Sequence, residues 1–124
     1  MQNRRKDPFR YVLKEPIAFE MWIISLNGAA APEKPIRAEL RDVSRSGCRI
    51  SMPLGIPVDK NEIRIGLNIV LNVDMLRLEG TLRWNRREED GYDYGVQLHI
   101  APEYKEVLSR EMRELAGADR IRVM

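Results

Sequence analysis

The sequence predicts an all-β domain: a six-stranded antiparallel barrel closed by one C-terminal α-helix and preceded by a flexible basic N-terminal arm. Three observations carry that expectation. Apolar and polar residues alternate with a period of two through the middle of the chain. The alternating runs are short and are separated by Pro, Gly, Asn and Asp, which suits a small barrel or sandwich. After Pro102 the apolar spacing changes to three and four. The expected boundaries are 1–15 for the arm, 16–101 for the barrel, 102–117 for the helix and 118–124 for a short basic tail.

Residues 1–15 are polar and basic, with Pro8 and Pro16 as breakers, and read as an arm leading into the domain. Ile17 to Leu26 is apolar and rich in β-formers, among them Phe19, Trp22, Ile23 and Ile24, and reads as a strand buried on both faces at its end. Asn27 to Pro35 is a loop. Ile36, Ala38 and Leu40 then alternate with Arg37, Glu39 and Arg41, the pattern of a half-buried strand. Asp42 to Gly47 breaks it, and Cys48, Ile50 and Met52 alternate with Arg49 and Ser51. Pro53 to Asp59 forms another loop.

The longest alternation runs Ile63, Ile65, Leu67, Ile69, Leu71 and Val73. A turn near Asp74 leads to Leu76, Leu78, Leu82 and Trp84, and Arg86 to Gly91 reads as a charged hairpin loop. Tyr92, Tyr94, Val96, Leu98 and Ile100 form the last strand. On the helix, Tyr104, Val107, Leu108, Met112 and Leu115 make an apolar stripe, and Gly117 is the expected stop.

The chain has 124 residues, enough for one core, and a net charge of only +2, so no global field draws it to nucleic acid or membrane. One cysteine permits no disulfide within the chain, no apolar run reaches the length of a membrane span, and no signal peptide is visible, so a cytoplasmic location is expected. His99 lies out of phase with the core and reads as a solvent-facing strand residue; Cys48 lies in phase and reads as a small core hydrophobe. No metal-ligand spacing, phosphate loop or dinucleotide fingerprint is present. Neither catalysis nor a resident cofactor is expected.

Two features could carry chemistry. One is the arm, Arg4-Arg5-Lys6-Asp7-Pro8-Phe9-Arg10. The other is the turn Asp42-Val43-Ser44-Arg45-Ser46-Gly47. Either alone has an ordinary structural explanation. A basic run near a terminus is commonly a solvated tail, and Asp, Ser and Gly build turns without any ligand. Their order is more telling. The arm ends in Phe-Arg, a strand leads into Asp-x-Ser-x-x-Gly, the short strand Cys-Arg-Ile follows at once, and later come Leu82-Arg83-Trp84 and Tyr94-Gly95-Val96-Gln97-Leu98.

That order, over about residues 4–100, resembles the PilZ family, whose members receive the bacterial second messenger cyclic di-GMP. The family pattern is Arg-x-x-x-Arg on the arm and [Asp/Asn]-x-Ser-x-x-Gly in the turn. The turn matches at Asp42, Ser44 and Gly47. On the arm, Arg10 matches, but its partner position holds Lys6, with Arg5 one residue further out. The resemblance implies a cyclic di-GMP site made by Arg5, Lys6, Arg10, Asp42, Ser44 and Gly47, with Arg4, Arg45, Ser46 and Trp84 as further contacts. Trp22 and Trp84 lie within strands, where core packing is the first expectation; bordering the pocket is the second reading for Trp84. The implied chemistry is guanine recognised by arginine forks and by an acceptor at Asp42, with phosphates met by cations. Lys6 can neutralise a phosphate but cannot make the fork contact, which leaves that role to Arg5. The implied function is a receptor in which ligand orders the arm and switches an unidentified protein partner. The alternative is an adaptor of the same family that binds partners without the nucleotide. A nucleic-acid-binding barrel would need aromatics on an exposed basic face, and here they fall mostly on apolar phases. Monomer and dimer both remain open.

Overall fold

The computed structural model describes residues 10–123. Its elements are β1 (Tyr11–Leu26), β2 (Ala29–Ala30), β3 (Ile36–Val43), β4 (Gly47–Met52), β5 (Ile63–Val70), β6 (Met75–Glu88), β7 (Gly91–His99), α1 (Pro102–Gly117) and β8 (Ile121–Val123). Six strands form a closed antiparallel barrel in the order β1-β3-β4-β7-β6-β5, with β5 pairing back onto β1. Closure leaves none of these six strands as an open sheet edge along its whole length. The alternation read from the sequence fills the barrel. Ile63, Ile65, Leu67 and Ile69 of β5, Leu76 and Leu78 of β6, and Ile50 of β4 are all buried. The Tyr94 hydroxyl donates to Leu54 O and accepts from Ile56 N, both at 2.6 Å, and so pins the 53–62 loop to the barrel wall.

Several boundaries differ from expectation. β1 begins at Tyr11, so residues 11–15 are strand and not arm: Tyr11 and Val12 pair with Val43 and Asp42. Pro16 marks a shift in register between Val12 and Ile17 and does not end the strand, because a residue without an N–H is tolerated where the ladder is already broken. The far end of β1 is not buried on both faces. Ile23 and Ile24 are half-buried and Leu26 is 47% exposed, although β5 and β2 pair with Leu26 on either side. β2 turns back on it through Asn27 and Gly28, both at positive φ (51° and 85°), a tight two-residue hairpin. β6 continues to Glu88, so Arg86 to Glu88 are strand, and only Glu89 and Asp90 form the turn.

The helix lays Leu108, Met112 and Leu115 against the barrel. Gly117 is not the residue that stops it. Arg120 N donates to Leu115 O and Asp119 N to Ala116 O, a Schellman closure with Asp119 in the left-handed region at φ 57°. That turn feeds the tail into β8, which pairs with Tyr11–Leu13 of β1. Glu111, a charged residue between the apolar positions of the helix, is 1% exposed. Its Oε1 accepts from the backbone N–H groups of Asn72, Val73 and Asp74 at 3.0–3.2 Å. Three successive N–H groups make a nest for the carboxylate. Asn72 adds a bond to Glu114 and Arg110 one to Asp74, so the β5–β6 turn is clamped to the helix.

Glu111→Ala strands those three donors and is expected to cost on the order of 2–3 kcal/mol. The urea midpoint should fall at unchanged slope. Glu111→Gln, whose amide oxygen can take the same bonds, should recover part of the loss.

Candidate functional site

The β3–β4 turn is fixed by Ser44. Its N–H donates to Gly47 O at 2.8 Å, while its hydroxyl donates to Gly47 O and accepts from Gly47 N, each at 3.2 Å. Ser44 is buried in doing so. Gly47 is not at positive φ, contrary to the usual reason for glycine in a turn. A Cβ there would lie 2.8 Å from Val96 O, so glycine is required by the close approach of β7. This seating brings Asp42, Arg49, Gly95 and Trp84 into one register row across β3, β4, β7 and β6. Three strand spacings make that row about 14 Å wide.

Asp42 is 4% exposed. Arg10 Nη1 donates to its Oδ1 at 2.7 Å, and Arg49 Nε donates to its Oδ2 at 2.9 Å. Arg49 Nη1 continues to Asp93 Oδ2 at 2.9 Å, and Asp93 Oδ1 accepts from Ser51 Oγ at 2.7 Å. Partial burial pulls the Arg49 pKa down, but the hydrogen bonds and charges of Asp42 and Asp93 outweigh it and leave it raised. The guanidinium is a fixed cation here. A cleft of about 620 Å³ opens beside this row, lined by Arg10, Asp42, Gly47, Arg49, Arg83, Trp84 and Arg86, with Gly95 to Gln97 also on its wall. A second cleft of about 630 Å³ lies on the other side of Arg49, against Arg37, Arg41 and Tyr92, but contains none of Arg10, Asp42, Ser44 and Gly47.

The expected site residues divide as follows. Arg10, Asp42, Ser44, Ser46, Gly47 and Trp84 all line the first cleft. Arg45 does not; it borders the helix, near Lys105 and Ser109. Arg4, Arg5 and Lys6 lie outside the described residues. Core packing fails for Trp84, which is 44% exposed. Its indole lies across Gly95, where a Cβ would sit 2.0 Å from Nε1. Nor is Trp22 in the core. It lies on the outer face over Gly66, with the Arg77 guanidinium 5.1 Å from its ring centroid. His99 is exposed, with Nε2 2.8 Å from Thr81 Oγ1. Among the described residues no group of His, Cys, Asp and Glu could hold a metal, and no helix is long and apolar enough to cross a membrane.

Sequence reasoning missed Arg49, Arg83, Arg86 and Asp93. Arg49 had a weak signal, as the outward residue between buried Cys48 and Ile50 directly after the turn. Asp93, between two tyrosines, had none. Cys48 is buried as expected. Burial, reinforced by the charge of Asp42 and partly offset by Arg10, pushes its thiol up to about 12.

Two outcomes follow. In a Trp22→Phe background, Gly95→Ala should lift the indole off β7 and increase acrylamide quenching of Trp84. The Cys48 proton stabilises the fold fully below the ordinary thiol value of 9.0, and that contribution is lost as pH rises from 9.0 towards about 12. The slope should be about 1.4 kcal/mol per pH unit. It should be absent from the alkaline stability curve of Cys48→Ala.

Comparisons with known proteins agree with this architecture. A solved structure of the Bacillus subtilis inhibitor of motility (MotI/DgrA) matches with a TM-score of 0.60 at 14% identity, covering 94% of this chain and 53% of that one. The chain thus spans about half the length of that neighbour, and the likeness is one of fold. No curated protein matches the sequence. The family model described as "PilZ domain" matches residues 9–114, nearly the whole of the barrel and helix with the Asp42–Gly47 turn inside it, and the chain therefore belongs to the PilZ domain family.

Proposed function

We propose that this PilZ domain is a receptor for cyclic di-GMP and that the ligand occupies the cleft beside Asp42. The observation that carries the reading is Asp42 itself: a buried carboxylate at an open cleft, held between one cation from the start of β1 and one from β4. Guanine offers adjacent N–H donors on one edge and the O6 and N7 acceptors on another. The donors replace Arg10 on Asp42. Arg10, released, turns its fork to the O6/N7 edge or to a phosphate. Asp42 stays neutralised throughout, because Arg49 is tied from behind to Asp93.

Ser44 acts in this reading as the lock of the turn, since its hydroxyl is engaged by Gly47. Ser46 stands at the rim. Arg5 and Lys6, upstream of Arg10, close over the ligand from the other side, with Arg5 supplying the guanidinium that Lys6 lacks. Ordering the arm in this way offers a new surface to a protein partner. The second reading is an adaptor that needs no nucleotide, and Lys6 in place of an arginine is the feature that favours it.

Calorimetric titration with cyclic di-GMP separates the two. Arg10→Ala and Asp42→Ala should each weaken binding by about 1.5–3 kcal/mol, about ten- to a hundredfold. Absence of binding by the unaltered protein moves the adaptor reading to first place.

A further inference from the structure

We propose that Arg83 and Arg86 form a second set of phosphate-binding cations in this cleft, supplied by the barrel and independent of the N-terminal arm. The proposal rests on the cyclic di-GMP reading and deepens it. Its basis is a β-bulge in β6. Leu82 pairs with Val96 and Trp84 with the very next residue back, Gly95, so Arg83 is the extra residue. An unbroken strand would send Arg83 and Trp84 to opposite faces. Here Leu82 is buried while Arg83 and Trp84 are both exposed, and both line the cleft. A bulge that re-aims a side chain is a common device at binding sites.

Charge compensation is incomplete on this wall. Among the described residues Arg83 makes no ion pair. Arg86 donates to Glu88 at 2.6 Å, but its Nη2 stands 3.8 Å from an Asp93 oxygen already taken by Arg49. Of the side chains lining the cleft, four are arginines and one is a carboxylate. Arg10 and Asp42 stand at one end of the register row and Arg83, next to Trp84, at the other, on strands about 14 Å apart, while Arg86 lies two residues further along β6 opposite Asp93. Cations at both ends suit a ring that carries phosphates on opposite sides. A guanine nucleotide with one phosphate satisfies one end only. The pair therefore sets selectivity for the doubly charged ligand.

The test titrates the full chain with cyclic di-GMP and with guanosine 3′,5′-cyclic monophosphate, each at two salt concentrations. The proteins are the unaltered chain, Arg83→Ala, Arg86→Ala, the double variant and Arg83→Lys, with thermal midpoints measured alongside to check folding. The double variant should lose at least about tenfold in affinity for cyclic di-GMP, with a shallower salt dependence. Its affinity for the monophosphate should change far less. Arg83→Lys should keep most of the binding, because a phosphate needs a charge and not a fork. A double variant that folds and binds cyclic di-GMP within twofold of the unaltered protein, with its full salt dependence, overturns the proposal and leaves the receptor reading standing. No binding by the unaltered protein overturns both.

Discussion

A carboxylate withdrawn from water must be compensated, and in this domain the compensation of Asp42 organises everything around it. One oxygen takes a guanidinium from the head of β1 and the other takes one from β4. An uncompensated charge at that depth would cost several kcal/mol. The head of β1, the turn and the β4–β7 seam are thus held to one point. Arg49 cannot drift, because Asp93 grips its other side and Ser51 grips Asp93. Arg10 has no comparable second tie among the described residues. The same ion-pair network therefore contains one cation held by two carboxylates and one held by a single carboxylate.

The barrel supplies rigidity by closing on itself, and it supplies shape by breaking its own regularity. A shift at Pro16 separates the two halves of β1, a bulge before Asp42 lets Arg41 slip out of the β3–β4 ladder, and another bulge at Arg83 turns the β6 wall. Two glycines complete the arrangement. Gly47 admits the β7 backbone and Gly95 admits the Trp84 indole, each because a single methyl group would collide. The cleft is thus a product of small residues and extra residues at defined register positions, laid over a core of ordinary Ile and Leu.

Much of this was legible in the sequence, and the reasons are local. Ile63 to Ile69 alternates so regularly that one face must be inside, and Cys48, Ile50 and Met52 do the same. The Asp42–Gly47 turn could be located by its residue types. What was hidden depends on pairing between distant strands. Residues 11–15 look like arm because they follow the basic run and precede Pro16, yet Tyr11 and Val12 pair with both β3 and β8, and Leu13 with β8. Trp84 looks like core because it sits among Leu82 and its neighbours, and only the bulge, invisible without the partner strand, sends it outward. Arg49, Asp93 and Glu111 each take their meaning from a residue more than six positions away. Ser44 lies in that turn, and its hydroxyl bonds to Gly47 across it.

The three-residue ladder between β1 and β8 sets how the domain is wired. Tyr11 faces Val123, and Lys14 both donates its backbone N–H to Arg120 O and salt-bridges Asp119 just past the helix. The two leads of the described chain therefore leave from one corner, like the prongs of a plug, and Arg10 sits at the root of one of them. The first and last described residues are thus coupled through one short ladder, so fraying at either end strips the other of its β1–β8 bonds.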